Sequence, residues 1–268
     1  MSKKIEENQM SVYKADLHIH TPASKCYKGP KDDAEYIRII LKAQEKGLNV
    51  IAITDHNSIE GYKKLIEQKE QIKNEIDSFK KLQDSNEAKW KIKEDEKILK
   101  IFESILILPG IEFEVNNGIH MLVVFNPETE ITNIKDFLKN GGFEDDDFGK
   151  GNDVFSKWSL FELYNEARKY DCLIFDAHTD SDKGIYKTIP EGTTRIHAFT
   201  DDVLVGICYK NEGQKSKIRN LLLQPKYKRN SSVAFLKSSD AHKIDEIGKE
   251  KTFFRLKEGN YNFVGTKF

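Results

Sequence analysis

Short apolar runs with the composition of β-strands recur along the chain, and stretches with helical period separate most of them. We place the strand-like runs at residues 12–19, 50–54, 105–115, 119–125, 172–176, 203–209 and 233–237. Alternating strands and helices predict a mostly parallel sheet, and the uninterrupted run VIAI at residues 50–53 indicates burial on both faces. Seven such units predict an α/β barrel.

Residues 59–103 interrupt this alternation with a segment rich in Lys and Glu and poor in apolar positions. We expect one or two long helices there, forming a hairpin that is broken near Asp84 to Asn86. Two interpretations stay open for this insertion. It either lengthens one barrel helix into solvent, or it forms an arm that binds a partner or a second copy.

Residues 140–153 are rich in Gly and Asp, which predicts a mobile loop. The FGKG within this loop does not match a phosphate-binding P-loop, because the required first Gly and the Ser or Thr after the Lys are absent. The loop therefore carries no motif of its own.

Charge and cysteine content limit the class of protein. The formal net charge of −1 argues against a general polyanion binder, although local basic patches remain open. The three cysteines, Cys26, Cys172 and Cys208, lack a disulfide spacing, which predicts a reduced intracellular compartment, and the polar start lacks the apolar core of a signal peptide. Since no apolar run reaches the length of a membrane span, we expect a cytoplasmic protein without a membrane partner.

Six of the seven histidines lie in polar stops at the ends of the strand-like runs: His18, His20, His56, His120, His178 and His242. Carboxylates accompany them at Asp16, Asp55, Glu112 and Asp240. Parallel strands end on one rim of a barrel, where imidazoles and carboxylates from separate segments can converge. The pattern predicts a multinuclear metal site at the C-terminal rim.

Taken singly, each motif has a simpler explanation. His18 and His20 are two residues apart and would share a strand face, but surface histidines do the same. Asp16 is expected on that face, where it would orient a ligating imidazole. A buried Glu112 needs a partner, and either a metal or a lysine would serve. Asp55 and His56 could instead cap the helix that follows.

The order DLHIH, ITDH, PGIE, an isolated His, AH and SDAH resembles the PHP family, named for polymerase and histidinol phosphatase. The resemblance extends from Asp16 to about Gly248 and implies a distorted, TIM-like (β/α)7 barrel with up to three ions of Zn, Mn or Fe at its C-terminal rim. On this basis residues 1–268 form a single PHP domain with a charged helical insertion at about 59–103 and hold two or three divalent ions.

The resemblance also implies a set of ligands. One metal is assigned to His18, His20, Glu112 and Asp240; a second to His56 and His242; and a third to Glu112, His120 and His178, with Glu112 bridging. Several family members carry a further His six residues after the second His of the first motif. Cys26 occupies that position, and both outcomes, a thiolate ligand or an incomplete second site, stay open.

The expected reaction is metal-assisted hydrolysis of a phosphoester. We assign catalytic roles to Asp16, Asp55, His56, Glu112 and His242, and substrate phosphate contacts to Arg195 and Lys243. The basic run at residues 210–229 favours a nucleic-acid substrate, although a solvated helix face explains it equally well.

The leading hypothesis is a nuclease acting on DNA or RNA. Two alternatives are a small-molecule phosphomonoesterase of the histidinol-phosphatase type and a non-catalytic module stabilised by metal. The chain also resembles PHP modules at the N-terminus of ATPase proteins, which implies an ATPase domain or subunit as partner.

Overall fold

The computed structural model describes residues 10–81, 86–151 and 154–257. Within them, one sheet of eight strands has the order β7-β6-β5-β4-β3-β2-β1-β8. The strands are β1 (Met10–Ile19), β2 (Val50–Ile53), β3 (Leu106–Glu114), β4 (His120–Phe125), β5 (Cys172–Asp176), β6 (Leu204–Cys208), β7 (Ala234–Leu236) and β8 (Thr252–Lys257). The first seven coincide with the seven predicted runs, and β8 is an addition.

Helices follow most of the strands. They are α1 (Asp33–Glu45), α2 (Glu60–Lys81), α3 (Asn86–Ser104), α4 (Ile131–Asn140), α5 (Leu160–Ala167), α6 (Ile185–Thr188), α7 (Thr193–Thr200) and α8 (Glu212–Leu222). The predicted N-cap of α1 is confirmed, because the Asp32 side chain accepts the backbone N–H of Glu35 at 3.0 Å. In the described ranges, none of the helices has both the length and the apolar character needed to cross a membrane.

The sheet curves until its ends meet at the rim that carries the histidines. Strands β1, β2 and β3 run parallel, as do β5, β6 and β7, while β4 is antiparallel to both neighbours. Ala241, beyond β7, pairs with Ile19 in parallel, and the His20 N–H donates to the Ala241 carbonyl at 2.9 Å. Strand β8 adds to β1 in antiparallel orientation. The predicted α/β barrel of seven strands is confirmed, with one strand reversed.

Two apolar clusters hold this arrangement. The larger lies between sheet and helices and includes Ile51, Ile53 and Leu65. The smaller consists of strand residues that fill the barrel, such as Leu17, Ala52 and others below the rim. The barrel is therefore packed with side chains, and its polar groups lie at one end.

Helices α2 and α3 lie in the segment where the sequence predicts a charged insertion. Helices α2 and α3 are joined by ion pairs, with Lys80 Nζ 3.0 Å from Glu96 Oε1 and Lys91 Nζ 3.6 Å from Glu75 Oε2. The predicted break falls mainly on residues 82–85, which lie outside the described residues. Because α2 buries Leu65 and other apolar side chains against the main core, its first part is a barrel helix extended into solvent.

Candidate metal centre

The residues predicted to bind metal lie together at one rim of the barrel. His18 and His20 come at the end of β1, His56 after β2, His178 after β5, and Asp240 and His242 after β7. Glu112 lies within β3. His120 is the first residue of β4, and it reaches the same rim because β4 runs in the opposite direction.

One carboxylate oxygen of Glu112 meets the two imidazoles of β1. Glu112 Oε2 lies 3.2 Å from Nε2 of both His18 and His20, and these two nitrogens are 3.2 Å apart. Asp240 Oδ1 lies 3.4 Å from His18 Nε2 and 3.6 Å from His20 Nε2. Ligands about 2.0–2.1 Å from a tetrahedral zinc are separated by roughly 3.3 Å. These donor separations of 3.2 to 3.6 Å are therefore close to those of a tetrahedral site.

The other carboxylate oxygen of Glu112 faces two different imidazoles. Glu112 Oε1 lies 2.8 Å from His120 Nδ1 and 2.8 Å from His178 Nε2, and these nitrogens are 3.3 Å apart. His56 Nδ1 approaches the first oxygen, Oε2, at 3.1 Å. The two oxygens of one buried side chain thus point to two sets of donors, which is the geometry of a bridging ligand.

Several polar atoms of this cluster are buried without a hydrogen-bond partner in the described part of the chain, among them Glu112 Oε2, Asp240 Oδ1 and His56 Nδ1. Such an atom costs about 1–3 kcal/mol when it stays unpaired. Divalent cations bound by nitrogen and carboxylate donors would satisfy all three atoms. The residues present therefore fit a metal centre.

Four groups of side chains bring their donor atoms within 4.8 Å of one another. The groups are His18 with His20 and Glu112; His18 with His178 and Asp240; His56 with Glu112 and His120; and His20 with Cys26, His56 and His242. All eight residues predicted to bind metal are included, and Cys26 joins them. The assignment of ions to these groups stays a prediction.

The electrostatics of the cluster follow from its burial. Burial by itself raises the pKa of Glu112, but the surrounding imidazoles, led by His18, outweigh burial and hold this pKa well below its usual range. Burial lowers the pKa of His56 to about 4. Burial also lowers the pKa of His120, yet Glu112 and Glu114 overcome it and raise this pKa to about 9.

Asp16 has hydrogen-bond partners after β7. The register of β1 against β2 shifts between Asp16 and Ile19, so side chains do not alternate strictly through this segment. Asp16 pairs with Ile51, a residue of the helix-side cluster, and its carboxylate accepts the backbone N–H groups of Ser239 and Gly248, each at 2.9 Å. Asp16 therefore ties β1 to the segment after β7, and its predicted role in orienting an imidazole stays a prediction.

Asp55 acts on the cluster through a serine that the sequence analysis missed. Asp55 Oδ1 accepts the Ser24 hydroxyl at 2.7 Å and the Thr21 N–H at 2.8 Å. Ser24 Oγ in turn lies 3.3 Å from His20 Nδ1 and accepts the His56 N–H at 3.2 Å. Because the Ser24 proton goes to Asp55, its oxygen accepts from His20 Nδ1–H, which leaves His20 Nε2 free for a metal.

Glu114 is a second residue whose role the sequence analysis did not predict. It contacts the ring nitrogen of His120 that does not face Glu112. Glu114 Oε1 lies 3.2 Å from His120 Nε2 and accepts a hydrogen bond from Lys183 Nζ at 3.0 Å. Burial raises the pKa of Glu114, but His120 and Lys183 outweigh it, so this pKa is lowered. The lysine partner considered for Glu112 thus belongs to Glu114. Its position two residues after Glu112, on the same strand face, was the available signal.

Two residues at the rim have the left-handed backbone conformation that non-glycine residues rarely adopt, Asn57 with φ 46° and Asp240 with φ 52°. Asn57 Oδ1 accepts the Glu114 N–H at 2.9 Å, so its turn joins β2 to β3 beside the ligands. At Asp240, the same conformation presents the carboxylate to the two imidazoles of β1. Such strain is concentrated at functional sites.

The glycine-rich loop packs against the metal centre. The Gly149 N–H donates to the His56 carbonyl at 2.9 Å, and the Gly149 carbonyl accepts the Lys25 N–H at 2.8 Å. A Cβ on Gly149 would lie 2.1 Å from the Ala23 carbonyl oxygen. This part of the loop, predicted to be mobile, is therefore anchored over His56. Residues 152–153 of the predicted loop lie outside the described residues.

The predicted phosphate contacts are placed less directly. Arg195 Nε donates to the Ile189 carbonyl at 2.6 Å, and Lys243 is exposed with its Nζ 3.8 Å from Glu246 Oε1. Neither contact tests phosphate binding, so both roles stay predictions. Arg229, part of the predicted basic run, donates to the carbonyls of Phe199 and Leu204 and has a structural role instead.

Comparisons with known proteins agree with this architecture. The sequence profile of the PHP domain matches residues 16–236. An uncharacterized protein of Methanocaldococcus jannaschii is 55% identical over 53 residues, which are 18% of this chain and 31% of that protein. The region matched there is too short to assign a function.

Solved structures share the fold at low sequence identity. The lesion-specific endonuclease Q of Pyrococcus furiosus has a TM-score of 0.62 at 17% identity, with 95% of this chain and 55% of that chain covered. Endonuclease Q in complex with a 27-mer duplex bearing an abasic lesion gives 0.59 at 16% identity, with the same two coverages of 95% and 55%. PsfC of Pseudomonas syringae gives 0.54 at 14% identity, covering 91% and 82%. The chain spans about half of endonuclease Q. Since the profile match extends over most of the chain and includes every clustered histidine up to His178, the protein belongs to the PHP domain family.

Proposed function

We propose that the protein is a metal-dependent phosphoesterase that hydrolyses phosphodiester bonds of nucleic acid. The observation that carries this proposal is the buried Glu112, whose two oxygens face two separate sets of imidazoles at 2.8 to 3.2 Å. Divalent ions of Zn, Mn or Fe held there would supply Lewis acidity and lower the pKa of a nearby water, which is the chemistry of phosphoester hydrolysis.

The chain's own residues hold and orient this centre. Glu112 and Asp240 contribute negative charge, and Asp55 and Glu114 fix the rings of His20 and His120 from the outside, Asp55 through Ser24. A centre of this kind needs no serine or cysteine nucleophile. Asp16 joins β1 to the segment after β7.

The cluster opens to solvent on one side, and this side indicates where a substrate enters. The side chains of His18 and Glu112 are 1% exposed, whereas those of His178, Asp240 and His242 are 11%, 26% and 21% exposed. The exposed three follow β5 and β7. We therefore place the substrate path above β5, β6 and β7.

Two tyrosines with neighbouring cations lie beyond the ends of these strands. Tyr186 has Arg195 at 5.1 Å and Lys217 at 5.3 Å from its ring centre. A second tyrosine, after β6, has the same surroundings: Tyr209, with Lys215 at 4.8 Å and Lys237 at 5.6 Å. Aromatic rings that stack bases, beside cations that attract phosphates, are typical of single-strand binding. This pattern supports a nucleic-acid substrate over a small phosphomonoester.

The test is hydrolysis of labelled single-stranded and duplex DNA and RNA by protein loaded with Mn²⁺ or Zn²⁺. We expect cleavage by the wild type, none by Glu112→Gln, and little hydrolysis of a phosphomonoester panel. Phosphomonoester hydrolysis without nucleic-acid cleavage would identify a small-molecule phosphatase instead. Full metal occupancy with neither activity would reject the proposal and leave a module stabilised by metal.

Two further predictions concern the protein beyond the centre. We propose that residues 1–268 form a single domain and that an ATPase domain or subunit accompanies it. The second proposal rests on the sequence resemblance. Co-purification of the full-length protein with an ATPase from its own cells would test it.

A further inference from the structure

We propose that Cys26 is a thiolate ligand and that one position of the centre is built from this sulfur and the imidazoles of His56 and His242, beside the ring of His20. This position would select a thiophilic divalent ion, such as Zn²⁺, over Mn²⁺. The inference depends on the metal centre of the proposed function but not on the reaction.

The first support is convergence. Cys26 Sγ and one ring nitrogen of each of the three histidines lie within 4.8 Å of one another. The ring centres of His20 and His242 are 4.3 Å apart, and those of His20 and His56 are 4.7 Å apart, so the imidazoles surround one small volume. Zinc bonds of about 2.3 Å to sulfur and 2.0 Å to nitrogen would place such donor atoms roughly 3.5 Å apart, which is within the 4.8 Å that these atoms span.

The second support is the backbone around Cys26, which is fixed to the centre on both sides. The Lys25 N–H donates to the Gly149 carbonyl at 2.8 Å, in the loop that covers His56. The Lys28 N–H donates to the carbonyl of His242 at 2.7 Å. The segment with the thiol is therefore hydrogen-bonded to one proposed ligand and to the loop over another.

The other two cysteines have no such surroundings. Cys208 is buried in the small apolar cluster inside the barrel. Cys172 begins β5, and its Sγ lies 3.5 Å from the Ala167 carbonyl oxygen. Cys172 thus provides a matched control for the loss of a partly buried thiol.

The chemistry follows from ligand type. Thiolate is a soft donor that favours zinc, whereas manganese and magnesium prefer oxygen donors. A sulfur also adds a negative charge to a position whose other donors are neutral rings. We therefore expect that Mn²⁺ does not displace Zn²⁺ here, while the positions around Glu112 and Asp240, rich in oxygen, exchange metals more freely.

The test uses Co²⁺ as a spectroscopic probe in the full chain, with no substrate present. We expect a near-ultraviolet sulfur-to-cobalt charge-transfer band in the wild type and in Cys172→Ser. The band should be absent in Cys26→Ser and in Cys26→His. Elemental analysis should show about one zinc ion fewer per chain in Cys26→Ser and a restored count in Cys26→His.

A band that persists in Cys26→Ser, or a cobalt-saturated wild type without one, would overturn the proposal. Cys26→His guards against misfolding, because it supplies a nitrogen donor at the same place and should melt near the wild-type temperature. The two proposals fail separately. An inactive protein with the band rejects only the hydrolase, and an active nuclease without the band rejects only the thiolate ligand.

Discussion

The metal rim and the α2–α3 hairpin are both built from ionisable residues, yet these residues act differently in the two places. In the hairpin, Lys80 and Glu96 are 54% and 44% exposed and form a single ion pair at 3.0 Å. At the rim, Glu112 is 1% exposed and lies within 3.2 Å of five imidazoles. Water screens the first pair and is excluded from the second group.

The comparison shows that burial, more than residue type, determines how strongly a charged side chain interacts with its neighbours. A solvated ion pair contributes little, because its partners lose entropy and gain little Coulomb energy. A buried carboxylate must be compensated by several donors or by a cation. Substitutions at the rim and in the hairpin should therefore have effects that differ by orders of magnitude.

The largest expected effect is that of Glu112→Gln. Losing this carboxylate removes a charge from two sets of imidazole donors, so we expect loss of bound metal and about a 1,000-fold or greater fall in hydrolysis. Elemental analysis and the nuclease assay measure the two effects. The matched hairpin variant, Glu96→Gln, should keep its metal content and its rate of hydrolysis at wild-type levels. Equal metal content in the two variants would contradict the comparison.

The next effect is a pH dependence carried by Asp176. Burial raises its pKa from 3.8 to about 7, so the folded protein retains a proton that the unfolded chain releases. The contribution of Asp176 to the free energy of unfolding should therefore be largest below about pH 4. It should fall by at most about 4 kcal/mol as the pH rises to about 7.

Denaturant unfolding of metal-free protein at pH 5 and pH 8 measures this dependence. Asp176→Asn keeps an oxygen that accepts the Ile185 N–H and should lose most of the slope. An exposed hairpin carboxylate, changed in Glu75→Gln, should leave the slope as it is. If Asp176→Asn has the wild-type slope, burial does not perturb this rim carboxyl group.

A smaller effect is expected for Ser24→Ala. This change removes the hydroxyl between Asp55 and His20, leaving the carboxylate and the ring nitrogen without that contact. We expect about a 10- to 100-fold loss of metal affinity and about 1–3 kcal/mol of stability. Zinc titration against a competing chelator measures the affinity. The control is Ser78→Ala in α2. The exposed Ser78 hydroxyl donates to the Asn74 carbonyl, and its loss should change neither the metal affinity nor the stability.

The smallest effect belongs to the hairpin itself. Lys80→Ala removes one side of the ion pair with Glu96, and we expect a loss of no more than about 1 kcal/mol. This loss of stability should be smaller still in 1 M salt, because exposed charges are screened. Thermal or denaturant unfolding at two salt concentrations measures it. A loss above 2 kcal/mol would mean that the hairpin depends on its charges as strongly as the rim does.

The sequence by itself determined the seven barrel strands, the helical hairpin and the set of residues that gather at the rim. Strand composition is local, so it can be seen in short windows. The ends of parallel strands meet at one rim whatever the details of packing, so residues such as His56 and His178, which follow β2 and β5, had to come together.

Only the tertiary structure decided the pairings that depend on register and on contacts between distant segments. The closure of the barrel gave the Asp16 carboxylate the backbone N–H groups of Ser239 and Gly248 as partners, and the reversal of β4 brought His120 to the rim. Ser24 donates to Asp55, Lys183 donates to Glu114, and Cys26 lies near three imidazoles. These contacts join parts of the chain that are remote in sequence. Such pairings are set by the closure of the whole barrel, because a one-residue change of register reverses which face a side chain occupies.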